Sequence, residues 1–146
     1  MEEQKNKKKR IGRIIGVVCG VIAFFLVKQF VFAPESFYEA MQHAVDELNK
    51  SCPMMVDEQT RLDNAEALSD DVFQYNYTIV SLVKDSVNIK AFEDGMKPII
   101  LNDVKTKPAL KIYRDNKVTM TYLYKDKNGV FITKIAISPD LYSDSK

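Results

Sequence analysis

Asp57, Glu58, Arg61 and Asp63 fall within seven residues of one another, just beyond Cys52, the only cysteine of residues 34–146. No other stretch gathers so many groups able to do chemistry. Two carboxyls about 5 to 10 Å apart across a cleft could act as a glycosidase-type acid–base pair. A divalent-cation loop would need an Asp-x-Asp-x-Asp-Gly spacing, which is absent. Arg61 stands between Asp57 and Asp63, a spacing that favours an ion pair or a carboxylate closing a turn over catalysis. The four residues are therefore expected to form an interaction patch.

The other candidates are weaker still. His43 is the single histidine and lies among Gln42, Asp46 and Glu47, with no partner ligand at helical spacing, so a solvated surface position is expected. No histidine stands near a serine or cysteine in a recognisable nucleophile context. The five glycines (12, 16, 20, 95 and 129) are too few and too scattered for a phosphate-cradling loop. Cys52 has no partner for a disulfide within residues 34–146, and a buried free thiol is expected over an intermolecular bridge. The Asn49-Lys-Ser and Asn76-Tyr-Thr sequons are chance-level matches. The expectation is a protein that is not an enzyme and carries no cofactor and no metal.

Positioning these residues requires a small α+β domain. Ser36 and Glu39 form a capping box, and Phe37, Ala40, Met41, Ala44, Val45 and Leu48 follow at spacings of three and four. Pro53 closes that helix, and Met54 to Val56 re-enter the core. Residues 60–68 and 72–82 read as a hairpin about Ser69-Asp70-Asp71. Its second strand puts Phe73, Tyr75, Tyr77 and Ile79 on one face and Gln74, Asn76 and Thr78 on the other. A second helix through Ile89, Phe92, Met96, Ile99, Ile100 and Val104 contains Gly95 and Pro98, which predict a kink or two shorter helices. A short strand over 110–113 and a hairpin of 117–125 with 130–138 complete the chain. Asn128-Gly129 would supply the positive φ angles of the tight turn. The order helix–hairpin–helix–hairpin predicts a two-layer sandwich with an antiparallel sheet. Tyr75, Tyr77, Tyr122 and Tyr124 share the core face, either as packing or as an aromatic platform for a ligand.

Within this frame the chain resembles small bacterial membrane-anchored or secreted proteins that share a Cys-Pro-x-x-Val-Asp-x-x-Thr-Arg-Leu-Asp stretch ahead of a Tyr-x-Tyr-Thr strand. Cys52 to Asp63 and Tyr75 to Thr78 carry the likeness. The resemblance implies an envelope or secreted location and brings no established activity.

The N-terminal 33 residues set the location. Residues 1–10 form a basic tail, and residues 11–33 form an apolar run whose only charges, Arg13 and Lys28, lie near its ends. As a helix the run would be about 34 Å long, enough for a hydrocarbon core of about 30 Å. Its uncharged centre, residues 14–27, has the length of a signal-peptide core, so a cleaved leader competes with an uncleaved signal anchor. Cleavage after Ala33 would place Pro34 just past the scissile bond, which favours the anchor. Lys5, Lys7, Lys8, Lys9, Arg10 and Arg13 put the N-terminus in the cytosol and residues 34–146 in the periplasm or at the cell surface. That last portion has a net charge of −4 with its basic residues scattered, which disfavours nucleic acid as a partner.

The expected function is thus that of a single-pass membrane protein presenting a small non-catalytic interaction domain, in envelope assembly or as an inhibitor-like module. Alternatives are a small-ligand or lipid-binding domain and, behind it, a carboxylate-dependent enzyme. Membrane lipids surround residues 11–33, and a protein partner or a second copy is expected along the same helix. Gly12, Gly16, Gly20 and Ala23 lie along one of its faces, where small residues let two backbones approach closely. Replacing Gly16 with Ile is expected to abolish self-association in a membrane two-hybrid assay; an unchanged signal excludes the seam.

Overall fold

The computed structural model describes residues 36–143. The basic tail, the apolar run of residues 11–33 and its Gly12, Gly16, Gly20 and Ala23 seam lie outside the described residues. Among the described residues, no helix is long and apolar enough to cross a membrane.

Helix α1 (Phe37–Asn49) begins as its sequence demands. The Ser36 hydroxyl accepts from the Glu39 N–H at 3.2 Å, and the Glu39 carboxylate accepts from the Ser36 N–H at 3.2 Å. Ala40, Met41, Ala44, Val45 and Leu48 are buried along one stripe, while His43 is exposed. The chain then runs through β1 (Met54–Met55), β2 (Thr60–Ser69) and β3 (Val72–Ile79), each antiparallel to the last. Helix α2 (Ile89–Thr106) follows, capped by the Asn88 side chain on the Ala91 N–H at 3.0 Å. A short 3₁₀ turn (Pro108–Leu110), α3 (Lys111–Asp115), β4 (Thr119–Asp126), β5 (Phe131–Ile137) and α4 (Pro139–Tyr142) close the domain.

The sheet order is β1-β2-β3-β4-β5, and here the expected architecture needs correction. The two hairpins are joined by a parallel pairing of β3 with β4, in unbroken register from Val72↔Thr119 to Ile79↔Asp126. The sheet is therefore mixed rather than antiparallel. Parallel neighbours need a crossover, and residues 80–118 supply it through α2 and α3. Two local expectations change as well. Residues 110–113 are helical rather than a strand. Helix α2 continues through Pro98 as one element rather than two shorter helices, with Pro98 and Asp94 both exposed.

All the helices bury their apolar stripes against one face of the sheet. Phe37 of α1 and Phe73 of β3 both meet the Tyr113 ring of α3, at centroid distances of 6.4 and 5.2 Å. Phe92 of α2 sits edge-on to Tyr124 at 5.2 Å. Across the parallel pair, Tyr75 stacks on Tyr122 at 5.4 Å and Tyr77 on Tyr124 at 5.5 Å. These four tyrosines are 2–4 % exposed, so they pack as core and present no open platform. Tyr113 is fully buried, and its hydroxyl has no hydrogen-bond partner among the described residues. Burial pushes that phenol far above its ordinary value.

The turn between β4 and β5 also differs from expectation. Gly129 has φ +80°, but Asn128 does not adopt a positive φ, and the loop is organised by Asp126 instead. The carboxylate of this buried residue accepts from the N–H groups of Lys84 (2.8 Å), Asn128 (2.8 Å) and Val130 (2.9 Å). One aspartate thus ties the β4–β5 turn to the start of the crossover. The Lys84 N–H is the largest influence holding its carboxyl below the usual carboxylate value; burial opposes, and the Val130 and Asn128 N–H groups and the Lys127 charge add to the lowering.

Two outcomes test this packing. Tyr113→Phe removes a buried hydroxyl that gains nothing from the fold and should raise stability by about 1 kcal/mol in urea unfolding. Because the Asp126 pKa is lower folded than unfolded, its contribution is complete above the ordinary value of 3.8 and is lost as pH falls through the depressed folded value. Asp126→Asn should lower the urea midpoint at pH 7 and flatten the loss of stability between pH 4 and lower pH; a variant with the wild-type acid profile excludes this role.

Candidate functional site

Of the charged residues beyond Cys52, Arg61 and Asp63 pair, whereas Asp57 serves a turn and Glu58 bonds neither. Asp57 turns the chain between β1 and β2, its carboxylate accepting from the Gln59 N–H at 2.7 Å and the Thr60 N–H at 2.8 Å. Arg61 donates from Nε to Asp63 Oδ1 at 2.6 Å, and the Thr78 hydroxyl donates to Asp63 Oδ2 at 2.6 Å. Glu58 is exposed at the tip of the turn. Asp63 is also the extra residue where the β2–β3 register shifts between Leu62 and Asn64. The partly buried Cys52 thiol is pushed above its ordinary value, first by burial and then by the Asp63 charge, so it stays protonated at neutral pH. Among the described residues, no group of three or more His, Cys, Asp and Glu could hold a metal ion.

The sheet face away from the helices carries a polar ladder. Register pairs Asn64 with Asn76 and Glu66 with Gln74 across β2 and β3, and Gln74 with Thr121 across β3 and β4. Asn76 donates to Asn64 Oδ1 at 2.5 Å and to Glu66 Oε2 at 2.8 Å; Gln74 donates to Asn76 Oδ1 at 2.9 Å and to Glu66 Oε2 at 3.3 Å. Gln74, Asn76, Thr78 and Thr121 are 3–9 % exposed. The ladder shields its own members, and Gln74 and Asn76 each use a donor and an acceptor within the row. Asn76, mid-strand and buried, is no glycan acceptor.

A groove of about 580 Å³ opens beside this ladder, between α1 and β2. Gln42, Val45, Asp46 and Asn49 of α1 form one wall, and residues 64–68 of β2 form the other. At its end, the Asn49 side-chain amide behaves as a piece of neighbouring strand. Its Nδ2 donates to the Ala65 carbonyl at 2.9 Å, and its Oδ1 accepts from the Ala65 N–H at 2.8 Å. Sequence reasoning placed the interaction patch at Asp57, Glu58, Arg61 and Asp63 and overlooked this groove. The partial signal was the run of Asn64 and Glu66 on alternate positions of β2; nothing local ties Asn49 to Ala65, sixteen residues on.

No curated protein matches the chain. Among solved structures, a Pseudomonas aeruginosa protein thought to be secreted superposes with a TM-score of 0.62 at 7 % identity, covering 73 % of this chain and 93 % of that one. The pilotin EpsS of the Vibrio vulnificus type 2 secretion system gives 0.58 at 6 % identity, with 75 % and 94 % covered. The type II secretion pilotin AspS of Vibrio cholerae gives 0.53 at 6 %, with 72 % and 91 % covered. At such identities the likeness is one of fold. The family model for the domain of unknown function DUF8479 matches residues 36–131, from the N-cap of α1 to the first residue of β5, and the chain belongs to that family.

Proposed function

We propose that the domain is a non-catalytic protein-interaction module of the bacterial envelope, carried on the extracytoplasmic side of the membrane by residues 11–33 as a single-pass anchor. The observation that carries this reading is the fold, which the chain shares over about three-quarters of its length with pilotins of type 2 secretion systems. The site chemistry supports it. Asp57, Asp63 and Asp126 spend their carboxylates on backbone, Arg61 and Thr78 groups, and the Cys52 thiol is held protonated, so the titratable groups serve the scaffold rather than a substrate. The anchor rests on the length and charge of the apolar run and the positive-inside rule, and its Gly12, Gly16, Gly20 and Ala23 face adds a second contact surface within the bilayer.

Site-specific photo-crosslinking in living cells tests the reading. Leu68 and Phe131 are about half exposed, on opposite flanks of the sheet, and tolerate a crosslinking side chain. At least one position is expected to yield a discrete adduct with an envelope protein. Absence of any adduct at both positions overturns the proposal.

A further inference from the structure

The sheet has one edge that is only partly closed. Strand β1 covers β2 at Leu62 and Arg61 and goes no further. The Asn49 amide then takes both main-chain groups of Ala65, which therefore point away from β3. Pairing with β3 is regular from Ala65 through Ala67, and the next irregularity comes only between Ala67 and Ser69. Main-chain groups alternate along a strand, so the Ala67 N–H and C=O face the same open edge, where no described residue bonds them. An unpaired strand edge is a template for an added strand.

The surroundings of that edge select what can pair with it. Asp46 lies on the α1 side of the groove and Glu66 on the polar-ladder side, and the groove lining contains no cationic side chain. Neither carboxylate makes an ion pair among the described residues; Glu66 accepts only from the neutral amides of Gln74 and Asn76, which leave its charge in place. Leu68, half exposed, adds an apolar contact at the far end. Consecutive side chains of an extended segment point to opposite faces, so two adjacent basic residues would reach one carboxylate each.

We propose that the β2 edge beyond Asn49 is a docking site for an extended, dibasic segment of a partner protein, which joins the sheet through the Ala67 main chain with its paired Lys or Arg residues against Asp46 and Glu66. This site rests on the reading of the domain as an interaction module and supplies the chemistry of its partner. Main-chain pairing gives affinity and the two carboxylates give selectivity.

The test titrates isotopically labelled full-length protein in detergent micelles with the peptide acetyl-Thr-Val-Lys-Lys-Val-Thr-amide and with its Glu-Glu counterpart. The basic peptide is expected to shift the Ala67 N–H and the Asn49 side-chain amide, and the acidic one to leave them unmoved. Asp46→Asn with Glu66→Gln keeps an acceptor for Gln74 and Asn76 while removing both charges, and should weaken binding by about three- to tenfold. Ala67→Pro, which deletes the edge donor, should abolish it. Equal response to both peptides, shifts that spare Ala67, or full affinity in the charge-free variant each overturn the site. Crosslinks at Phe131 with none at Leu68 would also overturn it while leaving the interaction module standing.

Discussion

The parallel pairing of β3 with β4 is the constraint on which the rest of the domain depends. It joins the β1-β2-β3 strands to the β4-β5 hairpin, which would otherwise be a separate two-stranded ribbon, marginal in water. A parallel neighbour cannot be reached by a tight turn, so the chain must leave the sheet after Ile79 and return at Thr119. The segment it spends on that journey is the one that brings Phe92 and Tyr113 over the tyrosine rows. Crossover and core cover are thus the same residues. Asp126 fastens this arrangement from the other end, because its carboxylate holds the β4–β5 turn and the Lys84 amide at once.

Much of this was legible along the chain, and the failures have identifiable causes. Helix α1 was readable because its cap and its apolar stripe are both local, and Ser36, Glu39 and Leu48 occupy their expected roles. The faces of β3 and β4 were readable because alternation has a period of two whatever the neighbour's direction. That same property hid the parallel ladder: Tyr75 and Tyr77 alternate identically beside an antiparallel or a parallel partner. Residues 110–113 misled because a single helical turn is too short to display a 3.6 period, and Leu110 and Tyr113 fit either element. At the β4–β5 turn the Asn-Gly pair drew attention, whereas the organising group was Asp126, whose partner at Lys84 is 42 residues away.

The site shows the same division. Residues 57–63 concentrate charge, and Asp57 and Asp63 serve a turn and a bulge that need side-chain acceptors, the structural role that the Arg61 spacing favoured. The groove between α1 and β2 looked like nothing, since its wall residues come from two segments with ordinary composition. Asn49 gives it meaning only in three dimensions, where one amide replaces a strand's worth of hydrogen bonding at Ala65 and leaves Ala67 facing outward.

Edge protection explains why the two flanks of the sheet differ. A strand edge left bare invites uncontrolled pairing, and proteins blunt it with short strands, charges or irregularities. The β2 edge uses all three: β1 is only two residues long, Asp63 and Leu68 mark register shifts, and Glu66 adds a like charge that would repel the same edge of a second copy. Between those guards lies a single stretch, about Ala67, where the backbone is both regular and open. Such an arrangement discriminates against its own kind while admitting an extended segment of opposite charge. The β5 edge, with Lys134 as its one charged residue, has no comparable selectivity. If the domain recognises a partner through its sheet, β2 is the edge on which recognition can be specific.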